Sequence, residues 1–463
     1  MRNNRTLTSL TLLFVFFGVL SLTGAVSAQS SKDKKLARDL SEQADKFFSQ
    51  KNYRSAADAY GKSIALVGNS AYAHFWKGYA HYHLKENEAA LNELAIALSQ
   101  GHKPLDIYRV RWYIFYDIRD FDSALADIRK GLQIEPKNIT LLKAAGEIFF
   151  AKNSYAEALE AYQRAVIITP KDGDLYYNIA RVQLGLGNVA AQAAAADEAI
   201  KKNTQLLGEA YFLLGDAQQK QNNHAGAIDA YQRAIAAKPL SYQAYRNLAE
   251  LFRSDSRFTE AIDISRKAML LYPTDGYIYT DLSWYFSLAD RHEEAIQAAQ
   301  SGIRFLPDQY MAYTNLCRAY NDTKQYPLAI TACNNALKLN SKDGETYFYL
   351  ARAYDLSGRT AEATRTYARA VAGLIEYTKA NPEYSDGFYL LGNAYFSDNQ
   401  RDKAIEAYGR CLQLNPRFPK ARLNLGRALI LKKDKAGALQ QYNELLKIDA
   451  KRAAQLKAEI DKR

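Results

Sequence analysis

Residues 139–172, ITLLKAAGEIFFAKNSYAEALEAYQRAVIITPKD, form the segment from which the architecture follows. Leu142, Ala145, Gly146 and Phe149 fall at i, i+3, i+4 and i+7, and Ala158, Ala161, Tyr162 and Ala165 repeat that spacing. This places small and apolar side chains on one face of each of two amphipathic helices. Lys152-Asn153-Ser154 supplies the turn between them. Pro170 cannot donate the next helical hydrogen bond, so it stops the second helix. The unit is a helical hairpin, with halves termed helix A and helix B.

The hairpin recurs. Pro136 and Pro170 are 34 residues apart, as are Pro239 and Pro273, Pro273 and Pro307, and Pro382 and Pro416. Alanine keeps the same beat through Ala56, Ala90, Ala124 and Ala158, then Ala227, Ala261, Ala295, Ala329 and Ala363, then Ala404 and Ala438. The alanine lies in helix B, where a methyl group lets the two helices approach most closely. A lone hairpin cannot bury its apolar face, so neighbours must stack into a continuous core. The chain has 463 residues, too many for one compact core, and only 10 prolines with 48% apolar and 24% charged residues. An all-α array follows.

These residues resemble the tetratricopeptide repeat family, whose pattern is an aromatic, Leu-Gly, Tyr, then Ala, aromatic, Ala and Pro at fixed offsets. Leu142, Ala145-Gly146, Phe149, Tyr155, Ala158, Tyr162, Ala165 and Pro170 follow it; so do Tyr211, Leu214-Gly215, Ala227, Tyr231, Ala234 and Pro239, and Phe388, Leu391-Gly392, Tyr395, Ala404, Tyr408 and Pro416. The resemblance implies a right-handed superhelical solenoid of antiparallel helix pairs that binds proteins or peptides in its concave groove. Repeats start at Ala37, Ala71, Leu105, Ile139, Gly173, Gly208, Tyr242, Gly276, Tyr310, Gly344, Ser385 and Pro419. Residues 37–450 are the array of about twelve repeats, and 451–463 a capping helix with a polar outer face.

Three repeats depart from the pattern. Repeat five has one extra residue and Gln192 in place of alanine, which predicts an irregular hairpin. Repeat ten has seven extra residues before Pro382, close to two helical turns, which predicts a long helix B with a protruding end. In repeat three Trp112 takes the glycine or alanine slot and Arg111 the leucine slot, which predicts a distorted hairpin or a shifted register.

The N-terminus reads as an export signal over residues 1–28, followed by a short linker over 29–36. Arg2 and Arg5 are its basic start, Leu10 to Leu22 its apolar core, and Val26-Ser27-Ala28 its small-residue cleavage site before Gln29. The core is short for a membrane span, although an uncleaved anchor is the alternative. No later apolar run is long enough to cross a bilayer, and no cysteine at the cleavage point would accept a lipid. The mature chain is expected to be soluble and extracytoplasmic, in the periplasm or secreted. Of the net charge of +11, most lies from Arg417 onward, where a basic end reads first as a solvated terminal helix and, as the alternative, as a contact for an anionic surface.

Catalytic chemistry finds no support in the sequence. His74, His81 and His83 share a helix without the i, i+4 spacing of a helical zinc site, so they read as packing residues. No glycine-rich nucleotide loop or Gly-x-Ser-x-Gly elbow is present, and no span outside the repeats would house an enzyme domain. The expectation is a non-catalytic scaffold with no cofactor, no metal and no nucleic-acid partner. The repeat pattern sets Cys317 and Cys333 at facing slots of one hairpin, either as a disulfide outside the cytoplasm or as two buried thiols.

The groove is expected to be lined by the second, fifth, ninth and twelfth residues of each repeat. That assigns Tyr72, Phe75, Tyr79, Tyr82, Tyr113 and Tyr116 to a dense aromatic set in repeats two and three, and Tyr277, Trp284, Phe348, Tyr389 and Phe396 to a looser later set. Large aromatics give contact area at low entropic cost, so the first set is the expected main contact surface. Asn178, Asn247, Asn315 and Asn424 share the sixth slot, where the resemblance implies hydrogen bonds to an extended peptide. The run of Lys, Arg and Asn used by chaperone-binding members to clamp two carboxylates is missing. The rival function is a structural envelope component attached to an anionic surface through Lys432, Lys433, Lys435 and Lys451.

Overall fold

The computed structural model describes residues 30–238 and 241–462, so the expected signal peptide lies outside the described residues. Within them the chain forms twelve antiparallel helix pairs and a final helix, Ala450–Asp461. The first helix spans 30–49, so most of the expected linker is helical and packing begins at the buried Ala37. The pairs fall into two compact units, five in the residues up to Leu206 and seven with the final helix from Leu207 onward.

Every A–B turn is built alike. One residue per turn adopts the left-handed conformation, at Lys51, Lys85, Arg119, Asn153, Gly187, Asn222, Ser256, Asp290, Lys324, Gly358, Asn399 and Lys433. In repeat four the Asn153 amide donates to the Phe150 carbonyl at 2.9 Å and the Ser154 amide to Phe149 at 2.8 Å, which closes the last turn of helix A. Side-chain caps then start many of the next helices, as where Asn138 accepts from the Leu141 amide.

The periodic alanines are the points of closest packing, each 0–2% exposed. Opposite them a second device recurs. Tyr162, Tyr231 and Tyr408 are fully buried, and each lies against a helix A glycine, Gly146, Gly215 or Gly392. A methyl group on any of these glycines would come within 2.5–2.8 Å of the tyrosine ring, so ring and glycine specify each other.

The irregular repeats resolve differently from the sequence expectation. Repeat three forms an ordinary pair, Pro104–Asp117 with Phe121–Ile134, in the expected register. Trp112 occupies the glycine slot, but Ile128 replaces the tyrosine opposite it, so large and small have exchanged sides and Trp112 is buried beside Ala124, Leu125 and Ile128. Arg111 pairs with the buried Asp127 at 2.9 Å. In repeat five Gln192 is buried within a regular pair, and the extra residue falls in the following link, where Thr204 Oγ1 donates to Asp174 at 2.6 Å. Helix B of repeat ten spans Thr360–Ala380 as expected, yet its end does not simply protrude. Leu374 and Thr378 are buried, and Tyr377 covers Gly387.

Candidate functional site

The second unit carries an open cavity of about 860 Å³ on its helix A face. Five helices build it: Gly276–Leu288, Tyr310–Asp322, Gly344–Leu356, Ser385–Ser397 and Pro419–Leu431. Repeat periodicity aims the same slots inward from each helix. Trp284, Asn315, Phe348, Tyr389, Phe396 and Asn424, all assigned to the groove from sequence, line this one cavity. Tyr277 does not line it and is 48% exposed.

The charged groups of the wall were missed by a search for aromatics, although their signal was present. The ninth slot of repeats eight to twelve carries Trp284, Arg318, Arg352, Asn393 and Arg427, and all five line the cavity. Arg318 is 7% exposed and lies over the rings of Trp284 and Tyr349, at 5.9 and 5.1 Å. Its Nη2 donates to Asn315 Oδ1 at 2.6 Å and to Glu345 Oε1 at 3.0 Å. Burial pushes the Glu345 carboxyl up to about 7 despite the Arg318 guanidinium. Burial likewise lifts Asp281 to about 6, against the pull of Arg246 at 3.2 Å. Arg352 pairs with Asp322 at 3.2 Å. The wall is thus aromatic, with paired charges of both signs.

The sixth-slot asparagines do not form one ladder. Asn315 Nδ2 donates to the Thr280 carbonyl at 3.0 Å and Asn424 Nδ2 to Asn393 Oδ1 at 2.9 Å, which ties neighbouring repeats together within the cavity wall. Asn247 donates to the Tyr231 hydroxyl at 3.2 Å, and Asn178 accepts from Arg181 at 3.1 Å.

In the first unit the expected aromatic set is graded in exposure. Phe75 is buried, Tyr79, Tyr82 and Tyr116 are half-buried, and Tyr72 and Tyr113 are 45% and 42% exposed. Tyr79 and Tyr82 join a cluster with Phe48, Trp76 and His83, whose rings lie 5–6 Å apart. The histidines act as aromatics and hydrogen-bond partners: His83 stacks on Tyr53 at 4.3 Å, and His74 Nδ1 contacts Glu93 at 2.5 Å. Among the described residues no group of three or more His, Cys, Asp or Glu could hold a metal ion.

Cys317 and Cys333 are bonded, with Cα atoms 5.3 Å apart, inside the wall of repeat nine. Cys411 is a buried thiol. Near the C-terminus Lys432 pairs with Asp402, Arg427 with Glu459 and Lys447 with Glu444, whereas Lys433, Lys435 and Lys451 are exposed. No described helix is long and apolar enough to cross a membrane.

A Tetratricopeptide repeat family model matches residues 41–101, 212–275 and 389–453, and a TPR repeat model matches 146–187. Together they cover half of the chain. The UDP-N-acetylglucosamine–peptide N-acetylglucosaminyltransferase of Giardia intestinalis is 45% identical over 49 residues, 11% of this chain and 3% of that protein's length. The crystal structure of yeast Tom70 aligns over 92% of this chain and 95% of its own, at 14% identity and a TM-score of 0.40. The Cut9–Hcn1 hetero-tetramer structure of the APC/C aligns over 92% and 96%, at 13% identity and a TM-score of 0.34.

Proposed function

We propose that this chain, which belongs to the tetratricopeptide repeat family, is a non-catalytic scaffold that holds a protein or peptide partner in the groove of repeats eight to twelve. One observation carries the reading: groove positions from five successive repeats converge on a single cavity walled by aromatics and hydrogen-bonding groups. Convergent polar groups among aromatic surfaces are what a recognition site needs. The exposed Tyr72 and Tyr113 make the face of repeats two and three a second contact surface. Affinity capture from the native envelope fraction tests the assignment. Met311→Arg with Phe396→Ala should lose the captured partner. Replacing Tyr79, Tyr82, Tyr113 and Tyr116 with alanine should weaken it by about 1–2 kcal/mol per anchor only if that face also binds. Retention by both variants would overturn groove binding.

The proposed location is extracytoplasmic, after cleavage behind Ala28. The basic, apolar and small-residue succession at the N-terminus supports it, and so does a disulfide, which persists in oxidising compartments. Intact mass of protein from its native cell decides this, since a chain beginning at Met1 in the membrane would contradict cleavage. The alternative, attachment of the basic end to an anionic surface, rests on the exposed Lys433, Lys435 and Lys451. Such attachment would be lost at high salt, whereas aromatic groove binding would persist.

A further inference from the structure

The second unit touches itself across about four repeats. The helix A ends and turns of repeats seven and eight meet the helix A starts of repeats eleven and twelve, the link between those two repeats, and the final helix. Arg253 Nη1 donates to Asp386 Oδ2 at 2.9 Å, with both side chains buried. Asn415 Nδ2 donates to the Ser254 carbonyl at 2.9 Å, and Ser256 Oγ to the Arg417 carbonyl at 3.0 Å. Lys420 Nζ reaches the Ser287 carbonyl at 3.3 Å and Asp290 at 3.4 Å, and Arg452 Nη2 reaches the other Asp290 oxygen at 2.8 Å. Arg253 also lies 4.6 Å from the Trp284 ring, so the seam and the cavity wall share a side chain. Asp290, Lys420 and Arg452 themselves line the cavity.

These contacts change what the groove can admit. An open concave surface takes a ligand laid in from the side. Here ion pairs and hydrogen bonds bridge repeats seven and eight to repeats eleven and twelve and the final helix, across one side of the groove. At about 860 Å³ the cavity has the size of a small-ligand pocket, which admits a short peptide segment and not a folded domain. Paired charges of both signs, with amides and aromatics along the wall, suit a polypeptide backbone more than a strongly charged polymer.

Building on the proposed peptide-binding groove, we infer that repeats seven to twelve close into a sleeve that takes an extended polypeptide by its free end, and that the bridge from Asp290 to Lys420 and Arg452 is the latch against entry from the side. The latch is partly solvated, with the Asp290 side chain 45% exposed, while the Arg253–Asp386 pair beside it is buried. Reversing the Asp290 charge therefore repels both partners from the solvated side of the seam, and leaves the buried Arg253–Asp386 pair untouched.

The test uses a random ten-residue peptide library in two forms, attached to beads by one end or inserted as a surface loop of a folded carrier. The full chain should be retained on free-ended peptides at least about tenfold more strongly than on looped ones, equivalent to ~1.4 kcal/mol. Asp290→Lys, checked for unchanged helical circular dichroism, should bring the two forms to within about twofold by admitting loops. Asn415→Ala, which removes a hydrogen bond of the seam without a charge, should move in the same direction. Equal retention of both forms by the unaltered chain would overturn the sleeve while leaving groove binding intact. Retention of free ends by Asp290→Lys alone would overturn entry by the end. No retention by either chain would remove the peptide-binding reading and this inference with it.

Discussion

Trp112 and Ile128 in repeat three should behave as one unit, because together they exchange the sizes that glycine and tyrosine have in repeats four, six and eleven. Trp112→Gly removes a buried indole, which costs about 3–5 kcal/mol, and puts glycine in a helix interior, which costs about 1 more. Ile128→Tyr alone drives a ring against the indole and costs about 1–3 kcal/mol by overpacking. The sum for independent sites is roughly 5–9 kcal/mol. Made together, the changes recreate the pairing of Gly146 with Tyr162, so the double variant should lose only about 1–2 kcal/mol, a coupling of at least about 3. Native-state hydrogen exchange across Phe121–Ile134 reads this locally, which suits an array that opens in parts. A coupling within about 0.5 kcal/mol of zero would refute the exchange and restore the view that repeat three is strained.

Two further outcomes follow from the second unit. The folded chain holds a proton on Glu345 up to about pH 7, which an unfolded chain releases near 4.5, so stability should fall as pH rises through that window. Glu345→Gln should flatten the dependence in thermal melts between pH 5 and 8, leaving the smaller slope from Asp281; an unchanged slope would count against burial as its cause. Cys317→Ala with Cys333→Ala opens a loop of 16 residues and should lower stability by at most about 3 kcal/mol in the chain-entropy model. Peptide mapping that finds both thiols free in native protein would remove that effect.

The array was legible because its signals are local. Pro136, Pro170 and the alanine beat mark hairpins, and the distance from Ala158 to Ala165 is two turns of one helix. Compensation was harder to see: Trp112 looked misplaced until Ile128, across the hairpin, proved to be the smaller partner. Groove residues were found where slots were counted, as with Trp284, Phe348 and Phe396, but Arg318 and Arg352 escaped because only aromatics were sought at the ninth slot. The seam left no periodic trace. Arg253 and Asp386 are 133 residues apart and Ser254 and Asn415 are 161 apart, distances fixed by small rotations accumulated over many repeats and by the longer helix Thr360–Ala380. Repeat patterns encode nearest neighbours, and contacts between successive turns of a solenoid lie beyond them.

The proposed partner lies in the groove of repeats eight to twelve. Met311 lines the cavity and is 43% exposed, so a photo-crosslinking residue fits there, while Gln297 on helix B of repeat eight offers an exposed site away from the cavity lining. Irradiation in the native cell should join a polypeptide to position 311 and not to position 297. Adducts at position 297 with none at 311 would place the partner outside this groove.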